Sequence, residues 1–174
     1  MKSTETKQRL DLGNITTLIG IDPGVNTGLA VIENKRLVLV ASPAPSIIHA
    51  MEQVKRLAQI VGSPNLLVIY EDARMIGGMN GMARGSKGDN ARLRGVGSVQ
   101  RDCAIWAEFL DHQQIKAAPM SPAAKGAKLD DAQFLQVTGW TPKTNQHSRD
   151  AAMLIWPKRG LTITLPAKAA ISST

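Results

Sequence analysis

Apolar residues fall in short runs at the start of the chain and at helical spacing further on. Residues 18–22 (LIGID) form a compact apolar run closed by Asp-Pro-Gly, the pattern of a buried strand entering a turn. Residues 28–33 read as a second strand and 36–41 as a third. Only Asn34 and Lys35 separate them, which predicts a tight hairpin. The prolines of Ser42-Pro43-Ala44-Pro45 interrupt the pattern. Ser46 is a good N-cap residue, and Ile47, Met51, Val54, Ala58 and Val61 recur at helical spacing, so an amphipathic helix is predicted over 46–61. Gly62-Ser63-Pro64 ends it. Residues 66–70 (LLVIY) are the most apolar run in the chain and predict a central strand that delivers Glu71 at its end.

A loop is expected from Ala73 to about Asn90. A longer helix then runs from about Ala91 to Asp111, carrying Leu93, Val96, Ile105, Phe109 and Leu110. Residues 114–118 read as a further short strand. Ser121-Pro122 places proline at a first helical position and predicts a helix reaching Gly139. Residues 147–156 form the last helix, and 161–165 an extended segment. The expected organisation is an arm at 1–16, one folded domain at 17–157 and a basic tail at 158–174. The order β-β-β-α-β-α-β-α-α predicts an α/β fold with a mixed sheet.

Charge narrows the partners. The 174 residues carry 21 Lys and Arg against 14 Asp and Glu, a formal net charge of +7. The excess is concentrated: Arg74, Arg84, Lys87, Arg92, Arg94 and Arg101 fall in one glycine-rich stretch with Asp89 the one acid among them. Glycine lets backbone N–H groups and cations approach phosphates closely, so nucleic acid is the leading partner class. The same stretch also suits a solvated surface loop. Six aromatic residues are too few for a single-strand stacking platform, which favours recognition of a duplex or branched backbone. One cysteine, Cys103, excludes an internal disulfide framework and any multi-cysteine zinc site. A reducing cytoplasm is the expected location. No apolar run is long enough to span a membrane, and residues 1–14 lack the apolar centre of a signal peptide.

Three acidic residues sit where the predicted fold brings chain ends together. Asp22 ends the first strand, Glu71 ends the central strand, and Asp150 lies in the first turn of the last helix, three residues after His147. Strand ends and helix starts meet at one edge of an α/β sheet, where active sites collect. Each residue alone has a plain structural reading: an Asx turn for Asp22, an exposed strand end for Glu71, a helix-dipole contact for Asp150. Together they form a set of oxygen and nitrogen donors suited to Mg²⁺ or Mn²⁺.

These residues stand in motifs that resemble a known family. Ile19-Gly20-Ile21-Asp22-Pro23-Gly24 with Thr27-Gly28-Leu29-Ala30-Val31 resembles the first motif of RuvC-type Holliday junction resolvases. Val68-Ile69-Tyr70-Glu71-Asp72 resembles their second acidic strand, Leu93-Arg94-Gly95-Val96-Gly97 the start of their long dimer-interface helix, and His147-Ser148-Arg149-Asp150-Ala151-Ala152 their final motif. The motifs occur in order over residues 18–156. The resemblance implies a ribonuclease H-like fold, with a five-stranded mixed sheet flanked by helices. It implies a homodimer, two Mg²⁺ ions per active site with Mn²⁺ as a substitute, no nucleotide cofactor, and paired nicks across four-way DNA that leave 5′-phosphate and 3′-hydroxyl ends. Carried over by position, Asp22, Glu71, His147 and Asp150 are the metal-binding catalytic set. Lys125 falls near a basic position that contacts the scissile region, with Lys128 as its fallback. Arg74, Met75, Arg84, Lys87, Arg92 and Arg94 are the expected DNA contacts.

One departure bears on selectivity. Where the family has Gln and an aromatic after its acidic pair, this chain has Ala73, Arg74 and Met75, so Met75 or Ile76 would replace the aromatic wedge at the junction centre. The segment from Gly77 to Gly88 is also long. Both features point to a divergent member, such as one encoded by a bacteriophage. Two rival readings remain: a nuclease of the same fold acting on flaps, other branched DNA or RNA–DNA hybrids, and a non-catalytic module that binds branched DNA.

Overall fold

The computed structural model describes residues 15–75, 87–124 and 126–160, and over 87–94 it describes the backbone alone. The arm expected at 1–16 and the tail expected at 158–174 therefore lie mostly outside the described residues, as does the extended segment expected at 161–165. The expected five-stranded mixed sheet flanked by helices is found. The strands are β1 (Thr17–Asp22), β2 (Gly28–Glu33), β3 (Arg36–Val40), β4 (Leu66–Glu71) and β5 (Ala117–Met120), in the order β3-β2-β1-β4-β5. β2 is antiparallel to both β1 and β3, whereas β4 and β5 run parallel to β1. The expected hairpin joins β2 to β3, and Asn34 and Lys35 both take positive φ (48° and 69°), as a two-residue turn that matches strand twist requires.

Both faces of the sheet are covered, which explains the near-continuous apolar runs of β1, β2 and β4. On one face Ile19, Ile21, Val68 and Tyr70 pack with Val54 of α1 (Ile47–Val61) and with Trp106 and Leu110 of α2 (Lys87–His112). On the other, Leu18, Leu67 and Ile69 pack with Phe134 of α3 (Asp131–Thr138) and with Ala151, Leu154 and Ile155 of α4 (Gln146–Ile155). Ser46 caps α1 as expected, its hydroxyl accepting from the backbone N–H of His49.

Three boundaries differ from the sequence expectation. α2 starts at Lys87, ahead of the expected start near Ala91. β5 lies two to three residues later than expected, because α2 extends to His112 and Gln114 then turns the chain at φ 53°. The single helix expected from Pro122 to Gly139 is instead a 3-10 turn over Pro122–Ala124 followed by α3. A capping box restarts the helix: the Gln133 N–H donates to Asp130 Oδ1 at 2.8 Å, and the Asp130 N–H donates to Gln133 Oε1 at 3.0 Å.

α4 lies against β1 and β2 at backbone distance. A Cβ on Gly20 would run into the carbonyl of Ala151, and one on Gly28 into the carbonyl of His147. Only glycine fits at these two positions. Gly95, by contrast, faces open space in α2. Gly20→Ala is expected to destabilise the protein by about 3 kcal/mol, because backbone rather than a movable side chain must yield. Gly95→Ala is expected to stabilise it by about 0.5–1 kcal/mol through helix propensity. Urea unfolding of the two variants beside the wild type measures both.

Candidate active site

The period of two along a strand decides which side chains share a face. In β1, Ile19 and Ile21 face α1 and α2, while Leu18 and Gly20 face α4, so Asp22 projects on the α4 side. In β4, Val68 and Tyr70 face α1 and α2, while Leu67 and Ile69 face the other way, so Glu71 shares the face of Asp22. β1 and β4 are adjacent and parallel, with Ile21 paired to Tyr70, so both acids leave the sheet at one edge on neighbouring strands. Such strands lie about 4.8 Å apart. α4 starts over the same edge. The structure thus brings Asp22, Glu71, His147 and Asp150 to one end of one face.

α4 is held there by its first turn. Asn145 caps it, its Oδ1 accepting from the Ser148 N–H at 3.0 Å while its Nδ2 donates to the Ala41 carbonyl just past β3 at 2.9 Å. The Ser148 hydroxyl donates to the same carbonyl. With Gly28 beneath its backbone, His147 reaches Asp22, and Nδ1 lies 3.1 Å from Asp22 Oδ2. A carboxylate accepts hydrogen bonds, so Nδ1 carries the hydrogen of this contact and Nε2 holds the lone pair of the neutral ring. The His147 side chain is 52% exposed and that of Asp22 13%, so the imidazole stands at the mouth of the site and the carboxylate beneath it.

Asp150 is only 4% exposed. A carboxylate buried to that degree needs donors or cations around it. Gln146 Nε2 donates to Asp150 Oδ1 at 2.7 Å, and Lys128 Nζ stands 4.0 Å from Oδ2. The orientation of the Gln146 amide is set from behind. Arg149 NH2 donates to Gln146 Oε1 at 3.1 Å, and a guanidinium can only donate, so the amide nitrogen must face Asp150. Arg149 is itself fixed through Leu129 O, Thr144 Oγ1 and the Asp131 carboxylate. Gln146, Arg149, Asn145 and Ser148 were not singled out by the sequence analysis. The spacing of Asn145 and Ser148 is an N-cap signal, but nothing local marks Arg149 as buried.

The segment after β4 is clamped. Asp72 is buried, and Arg74 donates to it three times: Nε at 2.8 Å, NH2 at 2.7 Å and backbone N–H at 3.0 Å. Arg74, expected as a DNA contact, thus ties the 3-10 turn Ala73–Met75 to the end of β4. Met75 is 47% exposed beside it. Lys125 and Arg84 lie outside the described residues, and Lys87, Arg92 and Arg94 stand in α2 with their side chains outside the description. Cys103 is buried and donates to the Glu71 carbonyl at 3.5 Å. Burial pushes its thiol up. His49 and His112 are exposed.

Among the described residues, no three His, Cys, Asp or Glu side chains are gathered closely enough to form a ready metal cage. Mg²⁺ is commonly held by one or two carboxylates together with waters and substrate phosphate rather than by an all-protein cage. Three carboxylates and an imidazole at one edge fit that chemistry, and the buried Asp150 carboxylate fits it most clearly.

Burial alone would raise the Asp72 carboxyl, but the hydrogen bonds and charge of Arg74 outweigh it and hold the group below its ordinary value of 3.8. A lowered carboxyl contributes stability above its unfolded value that is lost as pH falls through the folded one. Wild type is therefore expected to be more stable than Asp72→Asn at pH 7, with the gap closing as pH falls below about 3.8. Urea unfolding of both proteins at pH 7, 4 and 2.5 measures this.

No family model matches the chain, and no curated protein does. Among solved structures, Thermus thermophilus RuvC in complex with a Holliday junction substrate is 16% identical, with a TM-score of 0.45 over 86% of this chain and 99% of that one. A second Thermus thermophilus RuvC structure is 17% identical, with a TM-score of 0.41 over the same shares. This is a likeness of shape, and the fold described above stands on strand order, direction and register.

Proposed function

We propose that this protein is a metal-dependent endonuclease that resolves four-way DNA junctions by paired symmetric nicks. The observation that carries the reading is the convergence of Asp22, Glu71, His147 and Asp150 on one face at one sheet edge. Clustered carboxylates repel DNA and each other, so a module that only binds DNA has no use for them. The ordered resemblance of four motifs to the RuvC-type resolvases supplies the substrate class.

In this reading Asp22, Glu71, Asp150 and His147 hold Mg²⁺. When bound, Mg²⁺ supplies charge neutralisation at the scissile phosphate and lowers the pKa of a coordinated water. Asp22 fixes the His147 ring through Nδ1, leaving the Nε2 lone pair to ligate or to take a proton from the attacking water. Gln146 holds Oδ1 of Asp150 in place, and Lys128 stands beside Oδ2. Lys125 or Lys128 offsets the negative charge that develops at the phosphate. Cleavage of the P–O3′ bond by water leaves a 5′-phosphate and a 3′-hydroxyl. α2 forms the seam of a homodimer whose two sites make the two nicks. Val99, on the exposed side of α2, suits that role.

A broader nuclease acting on flaps or hybrids is favoured by one observation: the residues that follow Glu71-Asp72 are Ala73, Arg74 and Met75, with no aromatic wedge. Labelled four-way junctions, flaps, linear duplex and RNA–DNA hybrid, each with Mg²⁺, Mn²⁺ or EDTA, separate the two. The expected result is paired nicks on the four-way junction only, sealed by a ligase, abolished by EDTA, and reduced at least about 1,000-fold by Asp22→Asn or Asp150→Asn with junction binding retained. Cleavage of flaps or hybrids at comparable rates selects the broader nuclease. Undiminished cleavage in both variants overturns the site.

A further inference from the structure

A cleft of about 760 Å³ opens beside His147 on the β3 flank of the site. It is lined by Pro43 and Ala44 from the segment after β3, by Pro142 and Lys143 from the segment before α4, by Asn26 from the β1–β2 turn and by His147. The volume is in the range of pockets that enclose small organic ligands, roughly 300–1,000 Å³. The cleft lies on the side of Asp22 away from Glu71. Arg74 and Met75 lie just past β4, on the far side of β1 from β3, so this flank is not accounted for by them.

The lining has a definite chemistry. None of the residues that line the cleft is acidic. Lys143 is exposed, and among the described residues its ammonium makes no hydrogen bond or ion pair. The exposed Asn26 amide likewise has no side-chain partner among the described residues. An unpaired cation, an unpaired amide and the flat apolar surfaces of two prolines match the three parts of a nucleotide: phosphate, base edge, and sugar or base face. His147 joins the cleft to Asp22: it lines the cleft, and its Nδ1 lies 3.1 Å from Asp22 Oδ2.

We propose that the cleft is a nucleotide subsite that takes the nucleotide adjoining the scissile phosphate on the β3 flank. Lys143 takes a backbone phosphate, the Asn26 amide reads the base edge, and Pro43 and Pro142 hold the sugar and base between them. The inference rests on the nuclease reading above.

The test uses the full chain with four-way junctions in Ca²⁺, by fluorescence anisotropy between 50 and 200 mM salt. Lys143→Ala is expected to weaken binding about 3–10-fold at 100 mM salt and to reduce the salt slope by roughly 1, with Lys143→Arg retaining both. Asn26→Ala is expected to keep the slope but flatten discrimination among junctions that differ at the nucleotide next to the nick. Both residues are exposed, so melting temperatures should match the wild type. Lys143→Cys should exchange with a base at that nucleotide tethered through an activated mixed disulfide, releasing the leaving thiol, and not with one elsewhere. Unchanged affinity and slope in Lys143→Ala, or a cross-link only at remote nucleotides, overturns the subsite. If wild type cuts no branched DNA yet Lys143→Ala still weakens binding and the cross-link still forms, the nuclease reading fails and the subsite stands.

Discussion

The close approach of α4 to the β1–β2 pair is the constraint on which the rest of the structure depends. Two strands and a helix meet there with no side chain between their backbones, at Gly20 under Ala151 and at Gly28 under His147. The second contact also sets the chemistry. Gly28 pairs with Asp22 across the β1–β2 ladder, so a helix seated on Gly28 necessarily carries His147 to Asp22. The packing that closes the core and the geometry that assembles the site are one arrangement.

Polar groups then fix what the glycines permit. The Ala41 carbonyl, just beyond β3, accepts from both Asn145 and Ser148 and pins the start of α4 to the sheet edge. Arg149 spends its donors on Leu129, Asp131, Thr144 and Gln146, which leaves Gln146 one orientation, with its amide nitrogen toward Asp150. A second clamp, Asp72 with Arg74, fixes the exit from β4. The carboxylates are therefore held on rigid elements by partners that are themselves held, the condition under which a site keeps its geometry as charge changes.

Much of this was legible in the sequence. The apolar runs of β1, β2 and β4 and the helical spacing of α1 are strong local signals, and Asn34-Lys35 marks its own turn. The edge where Asp22, Glu71 and Asp150 meet follows from strand ends and a helix start. What was not legible depends on tertiary contact. The helix expected from Pro122 stops after one turn, because a capping box at Asp130 sets a later start and proline alone only permits one. Arg74 read as a cation for DNA, and nothing in the chain foretells that this exposed arginine also folds back onto an aspartate two residues away. Arg149 is buried only because α3 and the segment before α4 pack over it.

The central claim is that the four converging residues form one cation site that acts on DNA held across this edge. A crystal structure of Asp22→Glu would move the very ligand in question, so the direct measurement is on the unaltered chain: anomalous scattering from Mn²⁺ in crystals of its complex with a four-way junction carrying a non-hydrolysable phosphate at the nick. The account predicts manganese peaks within coordination distance of Asp22 and Asp150 and of that phosphate. Manganese bound elsewhere on the protein, with the Asp22–His147 contact intact and the phosphate remote from it, would contradict the account.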